Sequence, residues 1–351
     1  MQIKSMRILL FPFALIYGAV VWLRNKLFDF KIIESTQFPF PVIIVGNLQA
    51  GGTGKTPMVK YIANLLKQEK LCAILSRGYK RKTSGFLFAT NSDNASTIGD
   101  EPYEYFKLYN NAVSVAVCEK RVDGIEQLQK IKNHDVVICD DAFQHRYLKS
   151  EMDIVLTAYG DLYCNDWLLP AGNLREPISG ASRAQIIIVT KCPDDLSIEA
   201  QKNIAQQIKI NPHQHLFFTT LIYTTLYNPF TNQSFNQAAA GTHMALLVSG
   251  IAKPSSLQKY IGEQFAKTEL LTFADHHEYT YNDLVTINEK FNTLATENKI
   301  LITTAKDFAR LSTMKLPFEK EKLFIQNIEV GFLNNQKSKF DMLMQNYVRK
   351  N

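Results

Sequence analysis

The stretch PVIIVGNLQAGGTGKTP, residues 41–57, constrains this chain more than any other. Residues 42–45 form a short apolar run with the character of a buried strand. A glycine-dense turn follows, and Lys55-Thr56 open an amphipathic segment that continues through Lys70. Strand, glycine loop and helix in that order are the context in which a phosphate-binding motif acquires physical meaning. Gly51, Gly52 and Gly54, with Thr53 among them, let the backbone take angles closed to other residues and bring its N–H groups close to an anion. The helix N-terminus adds partial positive charge, Lys55 can reach the terminal phosphates of a nucleotide, and Thr56 can ligate Mg2+. The usual pattern has glycine five residues before the last loop glycine, where this chain has Gln49. A glycine-rich turn with no ligand is the competing reading.

Further apolar runs recur at 72–75, 136–139, 154–157 and 186–189, with helical patterns such as 58–66 and 102–108 between them. This alternation predicts an α/β fold of the P-loop NTPase kind, a mainly parallel sheet with helices on both faces. Ligands of such sheets gather beyond the carboxyl ends of the strands. Polar clusters stand at those ends: Ser76-Arg77-Gly78-Tyr79, Asp140-Asp141 and Lys191. From residue 217 the texture changes to FFTTLIYTTLYNPF, read as an extended connector. A second α/β unit follows, with strands near 245–248, 300–303 and 323–325 and helices near 254–265 and 281–295. The expected organisation is an N-terminal helix over 1–32, a P-loop core over 33–216, a strand linker over 217–243 and a smaller α/β domain over 244–351. A chain of 351 residues is long enough for that division.

Residues 8–23 carry no charge and are flanked by Lys4, Arg7, Arg24, Lys26 and Lys31. As a helix they cover roughly 24 Å, short of a hydrocarbon core of about 30 Å, although snorkelling basic residues help to bridge such a gap. No small-residue cleavage site follows, which excludes a cleaved signal peptide. An interfacial membrane helix, a short bilayer-inserted anchor and a buried core helix all remain open, and the basic flanks favour membrane contact. The five cysteines are odd in number and lack metal-like spacing, the pattern of free thiols in a reducing, cytosolic setting. A net charge of +6 without a long basic run or an aromatic–basic motif favours anionic partners but not nucleic acid.

Several short motifs carry candidate chemistry. Residues 136–141 form an apolar run ending in Asp140 and Asp141, where a P-loop enzyme needs an acid to hold Mg2+ directly or through water. A helix cap or turn is the alternative. His145, in the FQHR that follows, can contact the nucleotide, orient a carboxylate or make a structural hydrogen bond. Gly99-Asp100-Glu101-Pro102 has the form of a helix start, and Asp100 is either a cap or a carboxylate able to take a proton from an attacking hydroxyl. The loop PAGNLREP, residues 170–177, offers Arg175 as a phosphate clamp and Glu176 as a further metal ligand, unless the two form a surface salt bridge. Asp275-His276-His277-Glu278 lacks zinc-protease spacing; it is an Asp-His pair acting as base or orienter, or a capped helix start. Lys80-Arg81-Lys82 is a solvated face or, beside a membrane helix, a contact for lipid phosphates.

Taken together, VGNLQAGGTGKTP, LSRGYKR, GDEP, DDAFQHR, PAGNLREP, FADHHEYT and TTAKDFARL, in that order over residues 45–311, resemble the tetraacyldisaccharide 4′-kinase family of lipid A biosynthesis. The absent first glycine is shared with that family. The resemblance implies a membrane-associated kinase at the cytoplasmic face of the bacterial inner membrane. It would move the γ-phosphate of ATP to the 4′-hydroxyl of an acylated glucosamine disaccharide 1-phosphate lipid. It places Lys55 on the ATP phosphates, Thr56 on Mg2+, Asp140 and Asp141 at the metal, and Glu176 as a further acid there. Asp100 would act as base, assisted by His276, and Arg175, Tyr79 and His145 would line the site, Tyr79 toward the substrate. Many relatives carry glycine where this chain has Ala142.

Rival classes fit less well. Membrane-recruited ATPase switches carry a lysine just before the glycine pair, where this chain has Ala50. A GTPase reading of Thr190-Lys191 lacks the guanine-reading aspartate, since Pro193 occupies its place. A non-catalytic nucleotide-binding scaffold has no need of Asp100, Glu176 and His276 together.

Overall fold

The strand of the glycine motif becomes the centre of a nine-stranded sheet in the computed structural model, which describes residues 7–251, 254–275 and 277–350. The strand order is Ile328–Phe332, His215–Tyr223, Ile186–Thr190, Met152–Ala158, Val42–Asn47, Val136–Asp140, Cys72–Ser76, Ser114–Val117 and Leu87–Phe88. From His215–Tyr223 to Ser114–Val117 every pairing is parallel, and Leu87–Phe88 closes that edge antiparallel. The Val42–Asn47, Cys72–Ser76, Val136–Asp140 and Ile186–Thr190 strands are buried at every residue. Continuous apolar runs of this kind are what a parallel sheet covered on both faces requires.

The chain divides into two compact units, and the division differs from the boundaries expected from sequence. The larger unit comprises Met1–Asn91, Tyr105–Ile222 and Val330–Asn351; the smaller comprises Ser92–Glu104 and Tyr223–Glu329. The C-terminal segment returns to the larger unit because its apolar side chains have their partners there. Phe340 and Met344 of the Lys337–Lys350 helix are fully buried, and the Phe340 ring meets Phe217 and Tyr61. The first part of the expected linker, residues 217–223, likewise belongs to the large sheet, in the strand His215–Tyr223 whose first four residues pair with Ile186–Val189.

In the smaller unit four parallel strands lie in the order Lys267–Thr272, Met244–Ser249, Lys299–Thr304, Leu323–Gln326. Alternate residues of Met244–Ser249 feed two cores: Leu246 and Val248 pack with Leu284, Ile287 and Phe291, while Ala245 and Leu247 pack with Leu257 and Ile261. That is the two-residue period of a sheet apolar on both sides.

The charge-free N-terminal stretch is a short 3-10 turn, Ile8–Leu10, leading into the helix Phe11–Asp29. Ala14, Gly18 and Phe28 are buried along one stripe, whereas Phe13, Ile16, Val20 and Trp22 are all more than half exposed. This exposure is not that of a core helix. Among the described residues no helix is long and apolar enough to cross a membrane. All five cysteines are free, and burial pushes every thiol above its ordinary range, Cys72 and Cys139 to about 12 and Cys192 to about 11.

Candidate active site

The glycine loop joins Val42–Asn47 to the helix Lys55–Leu66, whose N-cap is Gly54 in the left-handed conformation. Gly51 and Gly54 have φ values of 129° and 87°, which a side chain would strain. Asn47 braces the loop from within, its amide donating to Thr53 Oγ1 at 2.9 Å and to the Gly51 carbonyl at 3.4 Å. Thr190 Oγ1 donates to the Thr53 carbonyl at 2.7 Å and Lys191 Nζ to the Gly52 carbonyl at 2.6 Å. The pair that suggested a guanine reader thus supports the phosphate loop. Gln49, at the place of the missing glycine, is buried and bridges Leu174; its amide donates to Asp166 Oδ2 at 3.1 Å. The side chain at that position adds a bond to the backbone bridge that already joins the loop to its neighbour.

Asp140 and Asp141 end the strand beside the loop, where the sequence expects a metal-holding pair. Asp140 is buried and accepts from Tyr105 Oη at 3.1 Å. Asp141, with φ 48°, faces the cations: Arg175 Nη1 reaches both its oxygens at 3.0 and 3.1 Å, and Lys55 Nζ lies 3.5 Å away. Burial alone would raise the Asp141 carboxyl, but the Lys55 and Arg175 charges together outweigh it and hold the group below the ordinary range. Lys55, Asp141 and Arg175 therefore meet at one point, with Thr56 in the first helical turn.

A buried arginine that the sequence reading passed over stands behind this pair. Arg121 is 2 % exposed, and its guanidinium donates to the Cys118 carbonyl at 2.6 Å and the Asp140 carbonyl at 3.1 Å. It fixes the backbone of the strand end rather than a carboxylate. Its signal in the sequence was an arginine at the start of a helix, indistinguishable from a surface charge.

Glu176 sits deep in the same neighbourhood. Its carboxylate is 2 % exposed and already engaged: Arg183 donates at 2.9 Å, Gln144 at 2.9 Å and Asn25 at 3.3 Å. His145 lies in an environment of positive charge. Burial first, then Arg121, Arg77 and Arg24, press its imidazole down to about 4, so the ring is neutral at pH 7. A depressed histidine contributes stability that is fully present above its unfolded value of about 6.5 and is lost as pH falls through about 4. The stability of the wild type relative to His145→Gln should therefore decline between pH 7 and pH 4 in thermal melts; a constant difference across that range counts against this environment. Tyr79 is 61 % exposed, with Lys80 Nζ 5.9 Å from its ring centre.

In the smaller unit, Asp100 opens the helix Asp100–Tyr109, as the sequence expects. Its carboxylate is held by Arg310, whose Nε donates to Oδ2 at 3.0 Å and whose terminal nitrogen contacts the same oxygen. Arg310 also faces Asp307 at 3.7 Å and reaches the His277 carbonyl at 3.5 Å. Burial would lower the Arg310 guanidinium, but the bond and charge of Asp100 raise it above its ordinary range. Arg310 lies in the TTAKDFARL motif, yet nothing in its spacing announced a partner 210 positions away. His276, the expected assistant, lies outside the described residues; its neighbour His277 has Nε2 3.0 Å from Asp283 Oδ2.

A glycine loop, a lysine and a strand-end acid occur in many nucleotide-binding proteins. The comparison that decides among them covers nearly the whole chain: the family described as tetraacyldisaccharide-1-P 4′-kinase matches residues 6–348. The chain belongs to that family. Relatives named tetraacyldisaccharide 4′-kinase include one from Flavobacterium psychrophilum, 45 % identical over 97 % of this chain and 96 % of its own length. Another, from Phocaeicola vulgatus, is 43 % identical over 97 % of this chain and 95 % of its own. The fold is similar to a crystal structure of LpxK from Aquifex aeolicus in complex with ATP, with a TM-score of 0.76, 28 % identity and coverage of 98 % of this chain and 99 % of that one. The mainly parallel α/β architecture expected from the sequence is thus the architecture of a tetraacyldisaccharide 4′-kinase family member.

Proposed function

We propose that this chain is an ATP-dependent kinase that transfers the γ-phosphate of ATP to the 4′-hydroxyl of a tetraacyldisaccharide 1-phosphate, in lipid A biosynthesis. The observation that carries the reading is the convergence of Lys55 and Arg175 on Asp141 beside the glycine loop in a chain that the kinase family matches over residues 6–348. The backbone of Gly51, Gly52, Thr53 and Gly54 cradles the phosphates, Lys55 neutralises the terminal ones, and Arg175 and His145 line the nucleotide side. Tyr79 meets the acceptor.

The residues present fit Mg2+. Among the described residues no cluster of three acids, histidines or cysteines could cage a metal by itself. Mg2+ is held by one or two carboxylates together with substrate phosphates, and Thr56, Asp140 and Asp141 supply such a partial set. When bound, Mg2+ would neutralise phosphate charge as it develops. Phosphoryl transfer then demands mostly alignment. The 4′-oxygen bonds to the γ-phosphorus as the bond to the β–γ bridging oxygen breaks, and ADP carries that oxygen away. Asp100, oriented by Arg310 and assisted by His276, takes the hydroxyl proton.

An acylated acceptor resides in a bilayer, and the helix Phe11–Asp29 has the exposed apolar side chains and basic flank to lie at its surface. ATP supply sets that surface at the cytoplasmic face of the inner membrane. The test is transfer of labelled γ-phosphate from ATP to a tetraacyl disaccharide 1-phosphate in detergent micelles. A labelled bisphosphorylated lipid is the expected product; ATP binding without labelled lipid would sink the reading.

A further inference from the structure

The Phe11–Asp29 helix is apolar over most of its surface, yet the stripe that turns inward carries Tyr17, Arg24 and Asn25 among Ala14, Gly18 and Phe28. Each of the three polar side chains donates to a segment next to the phosphate site. Tyr17 Oη reaches the Arg175 carbonyl at 2.7 Å, Asn25 Nδ2 reaches Glu176 Oε2 at 3.3 Å, and Arg24 Nη2 reaches the Gln144 carbonyl at 3.2 Å. The receiving segments are themselves bonded to the glycine loop. The Arg175 N–H donates to the Leu48 carbonyl at 2.7 Å, and the Ala50 N–H donates to the Asn173 carbonyl at 2.8 Å. Gln144 Nε2 spans Glu176 Oε1 at 2.9 Å and the Asn47 carbonyl at 2.8 Å. The helix also lies close to the loop that precedes Arg175, since a Cβ at Gly18 would come within 2.6 Å of Leu168 Cδ1. A path of hydrogen bonds therefore runs from the helix to the Arg175 backbone and from the Arg175 guanidinium to Asp141, which Lys55 faces as an ion pair at 3.5 Å.

We propose that Tyr17 and Asn25 are positioning residues for phosphoryl transfer. By fixing the Arg175-Glu176 segment they aim the Arg175 guanidinium at Asp141 and set the entry to the glycine loop. The helix with the exposed apolar side thus also holds the reacting geometry. Glu176 is the buried joint of this arrangement: its contacts with Asn25, Gln144 and Arg183 suit a brace better than direct metal contact. A reaction that depends on alignment is sensitive to such a brace, because displacement by about 1 Å can cost about 100-fold in rate. The proposal rests on the kinase reading and deepens it.

The test compares full-length Tyr17→Phe and Asn25→Leu with wild type for labelled-phosphate transfer in micelles, flotation with phosphatidylethanolamine–phosphatidylglycerol vesicles, and thermal melting. Each variant is expected to lower kcat by about 10-fold or more, to leave KM for the lipid within about 2-fold, and to float as wild type does. Asn25→Gln, which keeps an amide donor, should recover most of kcat, while Phe13→Ser on the exposed side should lower flotation. Wild-type kcat in Tyr17→Phe and Asn25→Leu overturns the proposal, as does a loss that tracks vesicle binding, which would leave the helix as an anchor alone. If Asn25→Leu does not fold, Tyr17→Phe carries the test, since it removes a single oxygen. If wild type makes no labelled lipid, the kinase reading has failed. The brace is then decided by calorimetric affinity for ATP with Mg2+: weakening in Tyr17→Phe upholds it and unchanged affinity overturns it.

Discussion

Lys55→Ala should leave the chain folded and reduce phosphate transfer by about 100- to 1000-fold or more, the usual cost of deleting a charge aimed at developing transition-state charge. Lys55 is the first residue of its helix and half-buried, so no core packing is lost. Arg175, at 3.0 Å from Asp141, keeps the carboxylate paired and the strand end in place. Lys55→Arg should recover little, because a planar guanidinium does not reproduce a compact ammonium beneath glycine-loop phosphates. Steady-state transfer measured with thermal melting checks both points. Near-normal turnover in Lys55→Ala would remove the lysine from the phosphate site.

The second large effect is expected at Asp100. Asp100→Ala should lower kcat by about 100- to 10,000-fold, the range of a lost proton acceptor, and should also cost about 1.5–3 kcal/mol of stability, as for a hydrogen bond to a charged group. The stability loss follows from Arg310, whose side chain is 8 % exposed and would lose the carboxylate that its Nε and terminal nitrogen share. Asp100→Asn separates the two effects: it keeps an oxygen for Arg310 but is a far weaker base. Slow turnover with a near-wild-type melt in the Asn variant assigns proton transfer. Full activity in the Asn variant returns Asp100 to a purely structural pairing with Arg310.

The parts of this protein legible in its sequence are those governed by local rules. Glycines at 51 and 54, a four-residue apolar run and an amphipathic segment fix a strand, a turn and a helix almost independently of context, and all three occur. The apolar runs at 136–139 and 186–189 read as buried strands for the same reason. The strand Lys267–Thr272 went unread because it is a sheet edge with four partly or fully exposed polar residues, and its pattern resembles a loop. The return of 330–351 to the larger unit was equally hidden, since periodicity reveals that Phe340 and Met344 share a helix face but not what they face.

The site divides along the same line. Lys55, Asp141 and Arg175 were found through their motifs. Arg121 was not, because an arginine at a helix start looks like a surface charge, and Arg310, Tyr17 and Asn25 were not, because each acts through a partner far away in sequence: Arg310 lies 210 positions from Asp100, Tyr17 158 from Arg175, and Asn25 151 from Glu176. The Glu176 carboxylate meets protein donors, Arg183 and Gln144, that only the fold brings together.

The five thiols, four of them buried and Cys164 half-buried, have a practical consequence. Each is held protonated at neutral pH by its surroundings, and the thiolate is the form that alkylates. A cysteine introduced at an exposed position of the N-terminal helix, such as Ile16 or Val20, would therefore outpace every native one toward a maleimide. The natural sequence can carry a single fluorescent or spin probe without prior removal of its cysteines. Depth-dependent quenching along that helix would then measure whether, and how far, each turn enters a lipid leaflet with all native cysteines in place.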